Sequence, residues 1–284
     1  MKPEHVRQTI LWAGLPPNPY PEPEERLDPD SLREFAAELA EESGRALAGM
    51  FRHPDLAVES KADASPVTVA DRYVETLLRD RILERFPEHG IVGEEFGGQN
   101  EDSEYVWVLD PIDGTISFVA GVPLFGTLIG LLRDGEPILG VIHQPITGEL
   151  AIGTASGTTF NGESVRVRED RSLADAMLLT TDPGAVGRHQ DVAGFEALWS
   201  RTALYRGWGD CYGYLMVATG RADIMLDPAM HPWDIAALVP VIRGAGGTIT
   251  TWEGDDPIGG ASTVAAAPGL HREVMEILNG TGTA

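Results

Sequence analysis

The sequence predicts an α+β or layered α/β fold. Three observations carry that reading. Two amphipathic helical stretches follow a proline-rich start, a block of short strand-like runs comes next, and the second half alternates strands with helices. At 284 residues the chain suffices for one large domain or two packed ones. We read a proline-rich arm over 1–30 and a domain over 31–284, the latter with an α+β part to about 170 and an α/β part beyond it.

The arm holds Pro16, Pro17, Pro19, Pro21 and Pro23, which favour extended chain. Ser31 and Glu34 have the spacing of a capping box, and Leu32, Phe35, Ala36, Leu39 and Leu47 recur at near-helical intervals after it. A second helix is expected over about 69–86, stopped by Pro87. Gly90-Ile91-Val92-Gly93 reads as a strand, and the apolar run 105–109 as a buried one ending at Asp110. Runs at 126–132, 137–143, 149–154 and 164–168 are separated by Asp134-Gly135, Thr147-Gly148 and Asn161-Gly162, which predicts an antiparallel sheet. Strands are then expected at 176–181, 222–226, 248–252 and 263–267. Helices are expected near 191–200, 210–219, from Pro232 to the Gly244-Ala245-Gly246-Gly247 stretch, and at 270–278.

Charge excludes some partners. Twenty-one Lys and Arg against 44 Asp and Glu give a net −23, a surface that repels nucleic-acid backbone and anionic membrane. No apolar stretch approaches membrane-spanning length, and the N-terminus lacks an apolar run of signal-peptide length. A single cysteine, Cys211, forbids an internal disulfide and fits a reducing cytoplasm. The seven histidines include no His-x-x-x-His pair, which argues against zinc.

The strongest chemical signal is Asp110-Pro111-Ile112-Asp113-Gly114-Thr115, two carboxylates at the end of a buried strand followed by a pair that can open a helix. Two readings stand side by side: an Asx-type turn, or a hard-cation site that relieves carboxylate repulsion. Gly93-Glu94-Glu95 is either a solvated loop or a second acidic strand end converging on the first. Asp234, after Pro232-Trp233, suits a helix first turn as a dipole partner, and that structural role is the one favoured for it alone. Thr68 suits an N-cap, with Asp71 at the third helical position.

Taken in order, these four pieces resemble the inositol-monophosphatase family of metal-dependent phosphatases: Thr68…Asp71, Gly93-Glu94-Glu95, Asp110–Thr115, and Trp233-Asp234 before Gly246-Gly247. The resemblance spans about 31–278 and implies a layered αβαβα sandwich. Phe125-Gly126-Thr127, Gln144-Pro145-Ile146-Thr147-Gly148-Glu149 and Gly209-Asp210-Cys211-Tyr212-Gly213-Tyr214 are similar to the histidinol-phosphatase branch. His143, where an acidic residue is expected, and Thr251, where many members have Asp, depart from the pattern.

The resemblance further implies two or three Mg2+ ions per site. Glu94, Asp110 and the Ile112 carbonyl would hold the first, and Asp110, Asp113 and Asp234 the second. Thr115, linked to Asp71, would orient and help deprotonate water, Glu94 would belong to the same catalytic group, and Asp113, Gly114 and Thr115 would face the phosphate. The implied activity is hydrolysis of L-histidinol phosphate in a cytoplasmic homodimer. The alternatives are inositol phosphate or another small phosphomonoester and, in a different class, a non-catalytic metal-binding protein on this fold. Asp210 and Asp227 are candidates to receive the substrate's ammonium. Asp210 is equally an N-cap candidate and Asp227 a turn residue before Pro228. Cys211 and Tyr214 are read as packing residues, with Trp208 and Tyr212 as candidate pocket aromatics.

Overall fold

Helix α1 (Pro29–Met50) opens the computed structural model, which describes residues 28–54, 58–60 and 66–280. All the prolines noted in the arm lie outside the described residues. The expected Ser31–Glu34 capping box does not form. Asp28 is the cap, accepting from Asp30 N and Ser31 N, with Pro29 at the first helical position. The Ser31 hydroxyl instead accepts from Arg85 of α2 (Val69–Arg85). A short antiparallel pair, β1 (Val58–Ser60) and β2 (Pro66–Thr68), leads into α2, where the predicted cap does form. Thr68 Oγ1 accepts from Ala70 N, and Asp71 Oδ2 from Thr68 N at 2.7 Å.

The large sheet comprises β3 (Gly90–Gly93), β4 (Gly97–Gln99), β5 (Tyr105–Asp113), β6 (Gly126–Arg133), β7 (Glu136–Gln144), β8 (Glu149–Thr154), β9 (Gly157–Phe160) and β10 (Glu163–Val165). Its order is β10-β9-β8-β7-β6-β5-β3-β4. The expected antiparallel pairing holds from β6 through β10, while β3 and β5, outside that expectation, run parallel. The run predicted at 164–168 is shorter, because Val167 N leaves the sheet and bonds to Ala245 O. After it come β11 (Met177–Leu179), α4 (Pro183–His189), α5 (Val192–Arg201), β12 (Leu204–Arg206), α6 (Asp210–Ala218) and β13 (Ile224–Asp227). The chain closes with α7 (Pro232–Ile235), α8 (Leu238–Gly244), β14 (Thr248–Thr250), β15 (Thr263–Ala266) and α9 (Pro268–Leu278). The small sheet has the order β12-β11-β13-β15-β14.

These elements stack as αβαβα. Helices α1 and α2 cover one face of the large sheet, α6–α8 fill the space between the two sheets, and α5 and α9 close the far face of the small one. Three buried clusters correspond to these interfaces, led by Phe35, Trp107 and Leu131 in the first, Leu128, Tyr214 and Val241 in the second, and Phe195, Leu226 and Val274 in the third. Gly130, Gly140 and Gly153 are register neighbours across β6, β7 and β8. A Cβ on Gly140 would sit 2.0 Å from Ala237 O, and one on Gly153 2.3 Å from the Cα of Val241. This side-chain-free stripe lets the middle helices rest directly on the sheet. The single helix expected from Pro232 is two. Pro240 has no N–H for the Ala236 carbonyl four residues back, so the chain breaks between α7 and α8. Among the described residues no helix is long and apolar enough to cross a membrane.

Candidate active site

Strand β5 does not stop at Asp110 as its apolar run suggested; it continues to Asp113. Opposite it, Asp110 pairs with Leu128 and Asp113 with Gly126, so β5 carries one extra residue, a bulge. The bulge turns both carboxylates toward the same side. Asp110 Oδ1 accepts from Ile112 N at 3.0 Å, the Asx turn predicted for this motif. The turn and the acidic cluster are therefore the same feature. The Ile112 carbonyl accepts from Thr115 Oγ1 at 3.0 Å. Gly114 has φ +85° and caps the short helix α3 (Thr115–Val119). A Cβ there would lie 2.9 Å from Asp210 Oδ2, so backbone conformation and space both demand glycine.

Asp234 arrives from the other side of the sheet on the first turn of α7, its Oδ2 accepting from His231 N at 2.7 Å. The helix-start role favoured for it is real, and the same carboxylate also joins the cluster. One oxygen from each of Asp110, Asp113 and Asp234 lies within 4.8 Å of the others. Glu94, at the end of β3, stands beside Asp110 and close enough to raise its pKa by charge and by hydrogen bonding. Asp113 Oδ2 accepts from Cys211 N at the start of α6. The Cys211 thiol itself is buried in the core, as is Tyr214.

Burial is the main cause of the carboxyl pKa shifts here, and mutual repulsion adds to it. Asp110 is pushed well above the usual carboxylate range by burial and then by Glu94, Asp113 and Asp234. Asp113 is also pushed well above it, by burial and then by Asp210 and Asp234. Asp234 and Asp210 are each raised to about 7, burial first. Such a cluster needs positive charge. Its donors are all carboxylate oxygens, the set a hard divalent cation takes, so the residues present fit a metal of that class.

Beside the cluster, Thr115 Oγ1 lies 3.4 Å from Asp71 Oδ1. The other oxygen of Asp71 already accepts from Thr68 N and Thr68 Oγ1, both at 2.7 Å. Asp71 is raised by burial, and its hydrogen bonds from Thr68 offset part of the rise.

Asp210 is the first residue of α6 rather than its cap, which is Gly209. Its φ of +51° is a conformation Asp tolerates better than most side chains. Asp210 N donates to Thr181 Oγ1 at 2.8 Å, and its carboxylate lines the cleft between Asp113 and Asp227. Asp227 is buried and accepts from Thr181 N at 3.0 Å and Tyr214 Oη at 3.0 Å. Burial raises it to about 6 against those hydrogen bonds. Thr181 and Asp182 line the cleft both at Asp113 and at Thr115, and sequence reasoning missed them. Asp182 before Pro183 has a legible N-cap pattern, and it does cap α4. No sequence interval connects it with Asp210. His143 is buried on β7 against Gly44 of α1, so it serves packing. Trp208 is 38% exposed on the segment leading into α6.

The inositol monophosphatase family model matches residues 28–281. A bifunctional phosphatase IMPL2, chloroplastic, of Arabidopsis thaliana is 41% identical over 286 residues, covering 95% of this chain and 82% of its own. A histidinol-phosphatase of Chlorobaculum parvum is 38% identical, covering 85% of this chain and 94% of its own. Among solved structures, an inositol monophosphatase from Zymomonas mobilis superposes with a TM-score of 0.79 at 34% identity, covering 88% of this chain and 98% of that one. Matched over nearly all of the described fold, the chain belongs to the inositol monophosphatase family.

Proposed function

We propose that this phosphatase hydrolyses L-histidinol phosphate to L-histidinol and phosphate, with Mg2+ held by its carboxylate cluster. The observation that carries the reading is the convergence of Asp110, Asp113 and Asp234 beside the Thr115–Asp71 pair. The similarity to histidinol-phosphatases supports the choice of substrate. In this reading Glu94, Asp110 and the Ile112 carbonyl hold one cation, and Asp110, Asp113 and Asp234 a second. Bound there, Mg2+ supplies Lewis acidity toward phosphate oxygens, water and the leaving alkoxide.

The protein's own groups do the rest. Thr115 Oγ accepts the hydrogen of the attacking water and passes its own proton toward Asp71 Oδ1, the oxygen that Thr68 leaves open. The backbone N–H groups of Gly114 and Thr115, at the head of α3, would donate to the charge on the phosphoryl oxygens. The water oxygen bonds to phosphorus as the P–O bond to the alcohol breaks, the alcohol oxygen takes up a proton from solvent water, and Asp71 returns to solvent the proton it received. No phosphoenzyme forms.

Asp210 reads the substrate's ammonium. Asp227 stands behind it with its oxygens already engaged, and reinforces the negative field. A partly desolvated ammonium–carboxylate pair loses about 2–5 kcal/mol when one partner is removed. Asp210→Asn is therefore expected to lower kcat/KM for histidinol phosphate roughly 30-fold or more. Turnover of p-nitrophenyl phosphate, which has no amine, should barely change. Equal losses on both would make Asp210 structural. Inositol phosphate is the second reading, supported by a Thermotoga maritima relative named fructose-1,6-bisphosphatase/inositol-1-monophosphatase that is 32% identical. A phosphate-release panel with both esters decides between them. A preference of the wild-type protein for inositol phosphate would overturn the histidinol assignment and leave the phosphatase chemistry standing.

A further inference from the structure

The turn that carries Glu94, between β3 and β4, is held from underneath by a residue of the preceding helix. Glu75, on α2, is fully buried. Its Oε2 accepts from Glu95 N at 2.7 Å and its Oε1 from Phe96 N at 3.2 Å. Arg79, one helical turn on, pairs with Oε1 at 2.8 Å, donates to the Gly97 carbonyl, and lies over the Phe96 ring 6.0 Å from its centroid. On the other side, Glu94 N donates to Leu109 O of β5 at 3.2 Å. The backbone of Glu94 is thus pinned on both flanks, by β5 before it and by Glu75 after it. A Cβ on Gly93 would lie 2.1 Å from Glu75 Oε1, so the glycine opening this turn leaves the space that Glu75 fills.

We infer that Glu75 is a positioning residue for the cation site. It sets the turn that brings the Glu94 carboxylate beside Asp110. Charge-assisted bonds from two backbone amides and a guanidinium make a stiff support. Outer partners that orient metal ligands characteristically change metal affinity 10–100-fold when removed. The inference rests on the metal reading of the site. A purely structural Glu75 would lower thermal stability and leave cation affinity alone.

Calorimetric titration of Mg2+ into the metal-stripped full-length protein separates the two. Glu75→Gln keeps the side chain's size but sets an NH2 group against one of the two amides. Its Mg2+ dissociation constant should rise roughly 10–100-fold, with kcat at saturating Mg2+ changed far less. Arg79→Gln leaves both amide bonds and removes their ionic partner, so its Mg2+ affinity should fall several-fold. It is the deciding variant if Glu75→Gln does not fold. Wild-type Mg2+ affinity in the folded variant overturns the inference while the metal reading survives. Absence of Mg2+ binding by the wild-type protein overturns both.

Discussion

Asp113→Asn is expected to lose turnover about 10³-fold or more while the fold survives. In the proposed mechanism the substitution removes a carboxylate that would hold the cation, and a metal's stabilisation of transition-state charge is worth several kcal/mol. About 4 kcal/mol corresponds to roughly three decades in rate. The metal-free variant should also unfold at a higher temperature than the metal-free wild type, because Asn carries no charge for Asp110, Asp210 and Asp234 to repel. The sign follows from proton linkage. Carboxyls with raised folded pKa keep a proton in the native state that the unfolded chain releases. Metal-free stability therefore falls as pH rises from near 4, the unfolded value, to about 7, where folded Asp210 and Asp234 ionise. Asp110 and Asp113, raised further by burial and by their neighbours, add to the fall in the same direction. Thermal melts across pH 4–8 with chelator should show this fall in the wild type and a shallower one in Asp113→Asn. A wild-type melting temperature independent of pH there, with undiminished activity in the variant, would contradict the placement of charge in this site.

Thr115→Ala should lower kcat by on the order of 10²–10⁴, the range for loss of a proton-transfer contact. Among the described residues the hydroxyl bonds to Asp71 Oδ1 and the Ile112 carbonyl, both at the site, so its removal spares the core packing. KM should move little and Thr115→Ser should recover most of the rate, because serine restores the Oγ–H. Steady-state kinetics on the two variants decides it. A change confined to KM would make Thr115 a phosphate anchor and place water activation elsewhere.

The motif order carried the fold family and the acidic cluster because strand ends and helix starts are local features with local signatures. Thr68 and Asp71 form the box their spacing implies, and Asp110 forms its Asx turn. Longer-range features were harder. Ser31 and Glu34 have the right interval for a capping box, but Asp28-Pro29 competes for the same helix start and wins, since Asp caps two amides and Pro needs none. The break between α7 and α8 was readable from Pro240, although the apolar pattern runs through it. The bulge in β5 shows only in the register with β6. In the sequence Glu75 is one more polar position on α2. Its role depends on the packing of that helix under the Gly93–Gly97 turn, which no interval in the sequence encodes. Asp182 likewise reads as a helix cap and reaches the cleft only through the small sheet's placement of α4.

In the proposed mechanism the carboxylate cluster works through a bound divalent cation on a phosphate ester that bears an amine. Phosphate release from histidinol phosphate, measured on chelator-treated protein before and after Mg2+ is restored, tests it most directly. Turnover should vanish in chelator, return on addition of Mg2+, and exceed that with inositol phosphate at equal concentration. Undiminished hydrolysis in chelator would contradict it.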